Sequence, residues 1–475
     1  HVLLEASRWT QDPARHMWAR NHWCEYKYGA YADMNGALFG SRDITGNVII
    51  RHNVVRHAFN AIRTDISKRL RSDARLRGEL SVNFHIHDNR FEFVRDNVVE
   101  PEFDAVNWWI HDNQIHNAHA WFSFDGLHGG AWQLYNNVGG FDDRPSLDCD
   151  DRCQQWAKFK PSACGDPHNG GRVVKFRGDG RGAPGPLNIF NNSWYLRSSV
   201  TKRGRIGSIG HWNNAIEYCS AAAHGPNVCN EGQRFFRRFT WDALGYRFSH
   251  DLSNHADYPG ELRRQGYLVN GTSVPPSQAL FVSGKGGNFT RMPGTPGLGQ
   301  GCFPSVQPSG WAQCKSVSSG SGIDIGYQAG FEHRTAIRYR DATEKTHGVD
   351  NGLPLTENAP RLVDTALLRP TAPDTQPLFV LWFSRPITFR VGAVVRVRSA
   401  GETLRLSNCK ARETALRCAW TGNNKTSASY AIALHAGSVR GIGAPPVGAS
   451  SDNAMAVDGV AVDGWGADGA TLTIR

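Results

Sequence analysis

The stretch Asn83–Phe91 reads NFHIHDNRF, in which two asparagines enclose alternating apolar and polar residues. The same arrangement occurs in residues 47–55, which read NVIIRHNVV, and in residues 107–115, which read NWWIHDNQI. The shared template is N-φ-x-φ-x-x-N-x-φ, where φ is an apolar residue. Alternation over a few residues is typical of a short strand with one buried face. Each copy is therefore predicted to contribute one short strand and the turn that follows it.

The spacing of the second asparagine of the template defines a repeat. Weaker copies follow the first three, and this asparagine stands at positions 53, 89, 113, 137, 192 and 214. A unit of about 22–24 residues fits these steps, with insertions in the two longest intervals. Such a unit cannot close a core alone, so successive units must stack and pair their strands. The predicted fold is all-β, a right-handed parallel β-helix in which each turn asparagine donates its side-chain amide to the equivalent position one rung away.

Composition agrees with a turn-rich all-β chain and argues against several protein classes. The 475 residues include 51 Gly, 23 Pro and 15 Trp but only 4 Met, and 40% of them are hydrophobic. This content supports a sizeable core, which argues against a disordered chain, and no apolar run reaches the roughly 20 residues of a membrane span. The net charge of +10 favours an acidic partner. The basic residues form no long run, so a nucleic-acid partner is not expected.

The ten cysteines are predicted to form disulfides in an oxidising compartment, because no pair has the CxxC spacing with His partners that a zinc finger needs. The chain starts at His1 without a leader, which we interpret as an export segment already removed. We therefore expect a secreted or periplasmic protein. The short pairings that the spacing favours are Cys149–Cys153, Cys219–Cys229, Cys302–Cys314 and Cys409–Cys418.

The asparagine-marked rungs resemble those of the secreted right-handed parallel β-helix proteins of the pectate-lyase-like superfamily, which includes polysaccharide lyases, hydrolases and epimerases. The resemblance covers residues 1–300. The stretch that begins at Phe281 is similar to the C-terminal end of many such β-helices. Residues 301–365 are rich in Gly, Ser and Pro and are predicted to be an extension or linker. Residues 366–475 contain alternating strands separated by turns, which predicts a small β-sandwich domain. The resemblance implies a polysaccharide substrate, and the positive charge favours an anionic one.

The second strand of each rung carries the candidate catalytic residues. With Ile62, Val99 and Phe122 pointing inward, their polar neighbours point outward on three successive rungs. At about 4.8 Å between strands, these side chains come within reach of one another. Four close carboxylates repel one another unless a proton, a cation or an arginine offsets them, so the cluster favours a functional role. The outward set is Arg63, Asp65, Glu100, Glu102, Ser123 and Asp125.

Two reactions can use this cluster. In the first, Glu100 and Glu102 bind Ca²⁺, the ion neutralises a uronate carboxylate, and a base removes the neighbouring proton so that the glycosidic bond breaks by β-elimination. An outward Glu-x-Glu on one strand resembles the calcium-binding pair of some β-helix lyases. The sequence departs from that pattern because no Lys follows the pair shortly afterwards. The remaining candidates for the base are Arg63, His128, Lys175 and Arg177.

In the second reaction, one carboxyl group acts as general acid and another as nucleophile or base for glycoside hydrolysis. Glu100 with Asp125, or Glu102 with Asp65, would supply such a pair from adjacent rungs. The basic net charge favours the lyase and the carboxylates favour the hydrolase, and the prediction leans to the lyase. A non-enzymatic adhesin, fibre or envelope component is the third alternative.

Aromatic side chains in the same rungs support a sugar polymer as the substrate, because outward ring faces stack on pyranose rings. Residues of this kind are predicted to bind the substrate together with nearby polar and basic side chains. The predicted binding set is Trp109, Trp121, Ser123, Trp132, Tyr135, Lys175 and Arg177.

Histidines recur at equal positions of the template. The pairs His87-Asp88 and His111-Asp112 occupy corresponding places on two rungs, with His52 nearby. Stacked turn residues explain this recurrence most simply, and a metal site is the alternative. His128 lies between glycines just after Asp125 and is the candidate for proton transfer.

Overall fold

The computed structural model describes most of the first 306 residues and shorter parts of the remainder. The described residues are 2–10, 37–71, 80–124, 128–141, 171–176, 186–197, 199–201, 206, 208–219, 245–256, 258, 260–264, 270–306, 312–315, 322–329, 331, 337, 362–368, 378–383, 387–389, 395–399, 402–412, 415–419, 430–434, 439–441 and 470–474. In these parts of the chain no helix combines the length and apolar character that a membrane crossing needs.

Short strands dominate the first 273 residues. The strands are β1 (Val2–Glu5), β2 (Arg8–Thr10), β3 (Phe39–Arg42), β4 (Gly46–Arg51), β5 (Val54–Arg56), β6 (Ile62–Asp65), β7 (Val82–His87), β8 (Arg90–Pro101), β9 (Asp104–His111), β10 (Gln114–Phe124), β11 (His128–Gly130), β12 (Trp132–Tyr135), β13 (Val138–Gly140), β14 (Arg172–Phe176), β15 (Leu187–Phe190), β16 (Ser193–Leu196), β17 (Ser208–Trp212), β18 (Ala215–Tyr218), β19 (Gly245–Ser249), β20 (Asp251–Ser253) and β21 (Gly271–Ser273). The described residues of this region also include two short helices, α1 (Lys68–Arg71) and α2 (Gly260–Arg264).

These strands form two long parallel sheets. Sheet A has the order β1-β4-β7-β9-β12-β15-β17-β19, with β11 paired to β9. Sheet B has the order β2-β5-β8-β10-β13-β16-β18-β20-β21, with β3, β6 and β14 paired at its side. The chain passes from sheet A to sheet B and back as it advances, and each strand pairs in parallel with the corresponding strand of the next turn. This topology is compatible with the predicted parallel β-helix.

The apolar positions of the template form the core, as their alternation predicts. Val48 pairs with Phe84 and Phe84 pairs with Trp108, so equivalent apolar residues of three rungs lie side by side. The rings of Phe84 and Trp108 stack with centroids 4.0 Å apart. The apolar pairs of the three copies are all buried: Val48, Ile50, Phe84, Ile86, Trp108 and Ile110. The predicted inward parity of these residues is confirmed.

The second asparagine of the template forms a continuous ladder along the stack. Its Oδ1 accepts a hydrogen bond from the backbone N–H of the ladder residue one rung before. Its Nδ2 donates a hydrogen bond to Oδ1 of the ladder residue one rung after. Within the ladder these contacts measure 2.8–3.1 Å. The ladder runs through Asn53, Asn89, Asn113, Asn137, Asn192 and Asn214 and ends on the carboxylate of Asp251. The predicted amide exchange between rungs is therefore confirmed.

Each ladder residue follows a residue in the left-handed backbone region, which closes the turn. The φ angles of these preceding residues are 51–56°. Asn, Asp and His tolerate this conformation better than most residues, which explains their recurrence there. The positions are His52, Asp88, Asp112, Asn136, Asn191, Asn213 and His250.

The described part of the predicted extension packs onto the outer face of sheet A. The hairpin of β22 (Phe281–Ser283) and β23 (Asn288–Arg291) precedes the extension and packs against sheet B, where Phe281 and Phe289 contact the cluster of Ala215 and Leu252. The extension itself includes β24 (Phe303–Val306) and β25 (Ala312–Lys315), paired as an antiparallel hairpin. Asn213 fastens this segment, because its Nδ2 and Oδ1 bond the carbonyl (2.7 Å) and N–H (3.0 Å) of Cys302. The buried cluster beneath it contains Trp109, Tyr135, Phe190, Trp212, Cys302, Ala312, Ile323, Phe331 and Ile337.

The C-terminal strands form antiparallel sheets. Seven strands follow the order β26-β27-β31-β30-β29-β32-β34, and β28 pairs with β33. They are β26 (Leu362–Leu368), β27 (Leu378–Phe383), β28 (Ile387–Phe389), β29 (Val395–Ser399), β30 (Glu402–Arg412), β31 (Ala415–Ala419), β32 (Tyr430–Leu434), β33 (Val439–Gly441) and β34 (Ala470–Ile474). The predicted boundary at residue 366 falls inside β26.

Two predicted disulfides are confirmed, Cys302–Cys314 and Cys409–Cys418. Cys219 is also disulfide-bonded. Its predicted partner Cys229, and the predicted pair Cys149–Cys153, lie outside the described residues.

Candidate functional site

Neighbouring strands of sheet B bring polar residues from distant parts of the sequence into one row. β6 pairs with β8 so that Arg63 lies beside Glu100. The next strand, β10, follows in the register that places Ser123 beside Glu100. β14 then places Lys175 beside Ser123. These four residues, called the polar row below, confirm the predicted side-by-side placement of Arg63, Glu100 and Ser123.

Glu100 is the buried centre of the polar row. Its Oε2 accepts a hydrogen bond from Nδ2 of Asn60 at 2.8 Å, and its Oε1 accepts one from Nδ2 of Asn97 at 2.7 Å. Nε of Arg63 lies 3.6 Å from Oε2, and Nζ of Lys175 lies 3.7 Å from Oε1. One carboxylate therefore holds two cations, one at each oxygen.

The other predicted acids are also neutralised. Glu102 accepts a hydrogen bond from Arg63 at 3.3 Å, and Asp65 accepts one from Arg42 at 3.3 Å. The side chain of Asp65 is buried, whereas those of Arg63, Glu102 and Arg42 are partly exposed. Salt bridges thus offset the repulsion between the acids, which was the reason to expect a functional role for them. The outer face presents alternating positive and negative groups.

The predicted calcium pair does not fit this geometry. Calcium takes six to eight oxygen ligands, whereas the two oxygens of Glu100 are surrounded by N–H donors. Arg63 and Lys175 already bring positive charge to this carboxylate and would repel a divalent cation. Glu102 is turned to Arg63 as well. We therefore do not propose calcium at Glu100 and Glu102.

Two of the predicted sugar-binding residues lie in the core. The indole of Trp132 points inward and donates to the carbonyl of Ala105 at 2.7 Å. Trp121 packs where Gly139 leaves space, since a Cβ on that glycine would lie 2.6 Å from the Trp121 ring. Both tryptophans are at most 1% exposed, so the prediction that they stack on sugar is wrong.

The other two aromatic predictions fail for a different reason. Trp109 and Tyr135 do point out of sheet A, but residues of the extension cover them, and each is at most 2% exposed. Ser123 is also fully buried, so it cannot touch a substrate in this structure. Of the predicted binding set, Lys175 keeps a partly exposed side chain.

Three predicted residues cannot be placed in the site. Asp125 and Arg177 lie outside the described residues. For His128 the structure describes only the backbone, which forms β11 beside β9. The predicted roles of these residues as acid, base or substrate contact stay predictions.

A second cluster of chemically capable side chains lies on the outer face of sheet A. His87 of β7 pairs with His111 of β9, and His85 points to the same side because it stands two residues before His87. One ring nitrogen from each of the three histidines lies within 4.8 Å of the ring nitrogens of the other two. We call these three residues the histidine cluster.

Hydrogen bonds fix two of the rings. Nδ1 of His87 lies 2.7 Å from a carboxylate oxygen of Asp88, and Nδ1 of His111 lies 2.7 Å from one of Asp112. Nε2 of His85 lies 2.7 Å from Nε2 of His111. Burial, followed by the charges of His111 and His87, lowers the pKa of His85 to about 2. His85 is thus uncharged at neutral pH.

The histidine cluster stands at one end of a column of stacked rings. His87, His111, Tyr135, Phe190 and Trp212 follow one another at centroid distances of 4.6–5.8 Å. The extension covers Tyr135 and the rings beyond it, while the side chain of His87 retains partial exposure. The histidines are therefore the accessible end of this column.

Sequence reasoning recognised two members of the cluster and missed the third. His87 and His111 were matched as equivalent template positions, but His85 has no histidine at its own position in the next rung, where Trp109 stands. The missed signal was the His-x-His spacing of β7, which places two imidazoles on the same face of one strand. A second group, formed by His250, Cys302 and Cys314, offers no thiolate because its cysteines are disulfide-bonded.

Comparison of the chain with protein-family models, with curated proteins and with solved structures finds no match. The two long parallel sheets are compatible with a parallel β-helix.

Proposed function

We propose that this chain is an exported right-handed parallel β-helix enzyme that cleaves an acidic polysaccharide by β-elimination on the outer face of sheet B. The observation that carries the proposal is the pair of partly exposed cations, Arg63 and Lys175, held on opposite oxygens of the buried Glu100. Two fixed cations beside an outward face suit a substrate that carries one carboxylate per sugar. The disulfides support an oxidising, extracytoplasmic location.

In the proposed reaction, Arg63 binds the uronate carboxylate, because a guanidinium offers two parallel donors to a carboxylate. This contact neutralises the charge that develops when the proton next to the carboxylate leaves. Lys175 acts as the base after its ammonium group has released a proton to solvent, and the neutral amine then accepts the proton from the sugar. The electron pair of the broken C–H bond forms the new double bond, and the glycosidic oxygen leaves with a proton from solvent. Glu100 positions both basic side chains.

The alternative of glycoside hydrolysis has less support at this face. A retaining or inverting glycosidase needs one carboxyl group that starts protonated and gives its proton to the leaving oxygen. Every predicted acid that the structure describes here, Asp65, Glu100 and Glu102, contacts an arginine, and such contacts stabilise the charged carboxylate. A non-enzymatic role remains the outcome if no polymer is cleaved.

The test is a panel of uronate-containing and neutral polysaccharides, assayed for unsaturated product by ultraviolet absorbance and for reducing ends. We expect wild-type protein to give both signals on at least one uronate polymer. Lys175→Ala should lower kcat at least about 100-fold, since proton transfer is lost. Arg63→Ala should lower kcat/KM by a similar factor, because the carboxylate contact is lost.

Arg90→Ala is the matched control, because Arg90 lies on β8 at a different outward position and is more than half exposed. It should keep wild-type kinetics. Reducing ends without ultraviolet absorbance would replace the lyase by a hydrolase. Wild-type turnover in both Lys175→Ala and Arg63→Ala would reject the polar row as the site.

A further inference from the structure

We infer that His85, His87 and His111 form a zinc-binding site on the outer face of sheet A. The ligand atoms of the three side chains lie within 4.8 Å of one another, on the adjacent strands β7 and β9. Three imidazoles are a ligand set that suits zinc, copper and nickel better than calcium or magnesium. The inference goes beyond the proposed polysaccharide activity and does not depend on it, because the polar row lies on sheet B.

The carboxylates next to the cluster select the nitrogen that is available to a metal. Asp88 and Asp112 each lie 2.7 Å from Nδ1 of the preceding histidine, which places the ring proton on Nδ1. Nε2 of His87 and of His111 then carries the lone pair that a metal needs. This carboxylate–histidine arrangement is the usual outer shell of zinc ligands. Asn136 in turn donates to Asp112, so the carboxylate itself is held.

The distances between the nitrogens fit a zinc ion once the stacked rings turn so that their nitrogens face one point. Zinc–nitrogen bonds of 2.0–2.1 Å in a tetrahedral site place the ligand nitrogens about 3.3 Å apart. Nε2 of His85 and Nε2 of His111 are 2.7 Å apart, and the widest spacing in the cluster is within 4.8 Å. The required separation therefore lies inside the range that the cluster already spans.

Ring stacking alone does not account for the cluster. His87 and His111 continue the aromatic column, and stacking explains their parallel rings, whose interplanar angle is 4°. His85 also stacks on His87, with ring centroids 4.0 Å apart, but stacking does not explain why its Nε2 lies 2.7 Å from Nε2 of His111. One nitrogen from each of three rings lies within 4.8 Å of the others across two strands, and carboxylates stand behind two of these rings, so the cluster has the ligands of a zinc site.

The site leaves room for a fourth ligand. Three protein ligands with one open position are typical of catalytic zinc, in which the ion binds and activates a water molecule. The side chain of His87 is 12% exposed and that of Asp88 is 46% exposed, so solvent reaches this side of the cluster.

The test uses full-length untagged protein, stripped with a chelator and titrated with ZnCl₂ in a calorimeter. We expect one zinc per chain, and we expect the thermal unfolding temperature to rise with zinc, because the ion binds the folded state. Cobalt chloride is the second probe, since tetrahedral cobalt gives an intense visible absorption that octahedral cobalt does not. Calcium chloride should give no binding at this site.

His87→Gln and His111→Gln should each abolish the zinc heat and the cobalt spectrum. Asp112→Asn should weaken zinc binding about 10–100-fold and leave the spectrum tetrahedral, because it removes only the orienting carboxylate. His57→Ala is the matched control, because His57 stacks on Phe93 away from the cluster, and it should bind zinc as wild type does.

One zinc bound equally by wild type and by the two glutamine variants would overturn the inference, as would the absence of zinc binding in wild type. Variants that lose the folded circular-dichroism spectrum are replaced by His85→Gln, which keeps both histidines of the aromatic column, His87 and His111. Failure of the polysaccharide assay has no effect on this titration, so the two proposals are tested separately.

Discussion

A single asparagine in each rung closes a turn and joins that rung to its neighbours. Asn113 donates through Nδ2 to Oδ1 of Asn137 and to the carbonyl of Ile86, both at 3.0 Å. Its own Oδ1 accepts from Nδ2 of Asn89 at 3.0 Å. Only a side chain that is both donor and acceptor satisfies all these groups, which explains why the position is asparagine through six rungs.

We expect Asn113→Ala to lower the free energy of unfolding by about 3 kcal/mol, because it leaves buried polar groups of two neighbouring rungs without partners. Gln114→Ala is the control, because Gln114 is the next residue along the chain and is exposed. Urea unfolding followed by circular dichroism measures both. A loss of less than about 0.5 kcal/mol in Asn113→Ala would show that the ladder is not a source of stability.

At the scale of elements, one buried carboxylate joins a hairpin to the parallel stack. Glu217 of β18 accepts the backbone N–H groups of Leu280 and Phe281, at 2.8 and 2.9 Å, where β22 begins. Burial raises the pKa of Glu217 above its ordinary value of 4.5, although these two hydrogen bonds act in the opposite direction. The hairpin is thus held by a group whose charge is costly.

This raised pKa predicts a pH dependence of stability. A carboxyl group that binds its proton more tightly in the folded state contributes full stability below its unfolded pKa, and the contribution is lost as pH rises through the folded pKa. Glu217→Gln is neutral at every pH, so its stability relative to wild type should increase as the pH rises from below the ordinary carboxyl pKa of 4.5 to neutral. Unfolding free energies of both proteins across this range measure the effect. Parallel profiles would contradict it.

At the scale of the whole molecule, the excess of positive charge matches the proposed substrate. The chain carries 53 basic and 43 acidic residues, and the polar row adds two fixed cations to one face. A polyanion would be attracted over a longer range than the contact distances of the site, and this attraction is screened by salt.

Binding of polygalacturonate should therefore weaken by at least about tenfold between low and moderately high salt, because screening removes the long-range attraction. Dextran, a neutral polymer, is the control and should show no such dependence. Affinity electrophoresis or calorimetry at several sodium chloride concentrations gives the comparison. Salt-independent binding of the acidic polymer would contradict an electrostatic contribution from the whole surface.

The sequence predicted the features that repeat and missed the features that depend on distant segments. The asparagine template and the inward parity of Phe84 and Trp108 follow from local spacing, so stacking the units reproduces them. The burial of Tyr135 does not follow from local spacing, because it requires the extension. Gln328 of the extension donates its backbone N–H to Asn136, which lies 192 residues earlier in the sequence. The neutralisation of Glu100 by Lys175 was likewise hidden, because an insertion separates β10 from β14.

The ladder has a direction, and this direction makes the molecule modular in length. Each ladder asparagine donates its backbone N–H and one side-chain N–H to Oδ1 of the rung that follows, and Asp251, which has no side-chain amide, accepts the last pair. A tandem duplication of residues 90–113 would insert one more ladder asparagine. It would accept hydrogen bonds from the rung before and donate to the rung after, and the first and last residues of the ladder would stay the same. Growth by whole turns is therefore an evolutionary route that this architecture leaves open without redesign of either terminus.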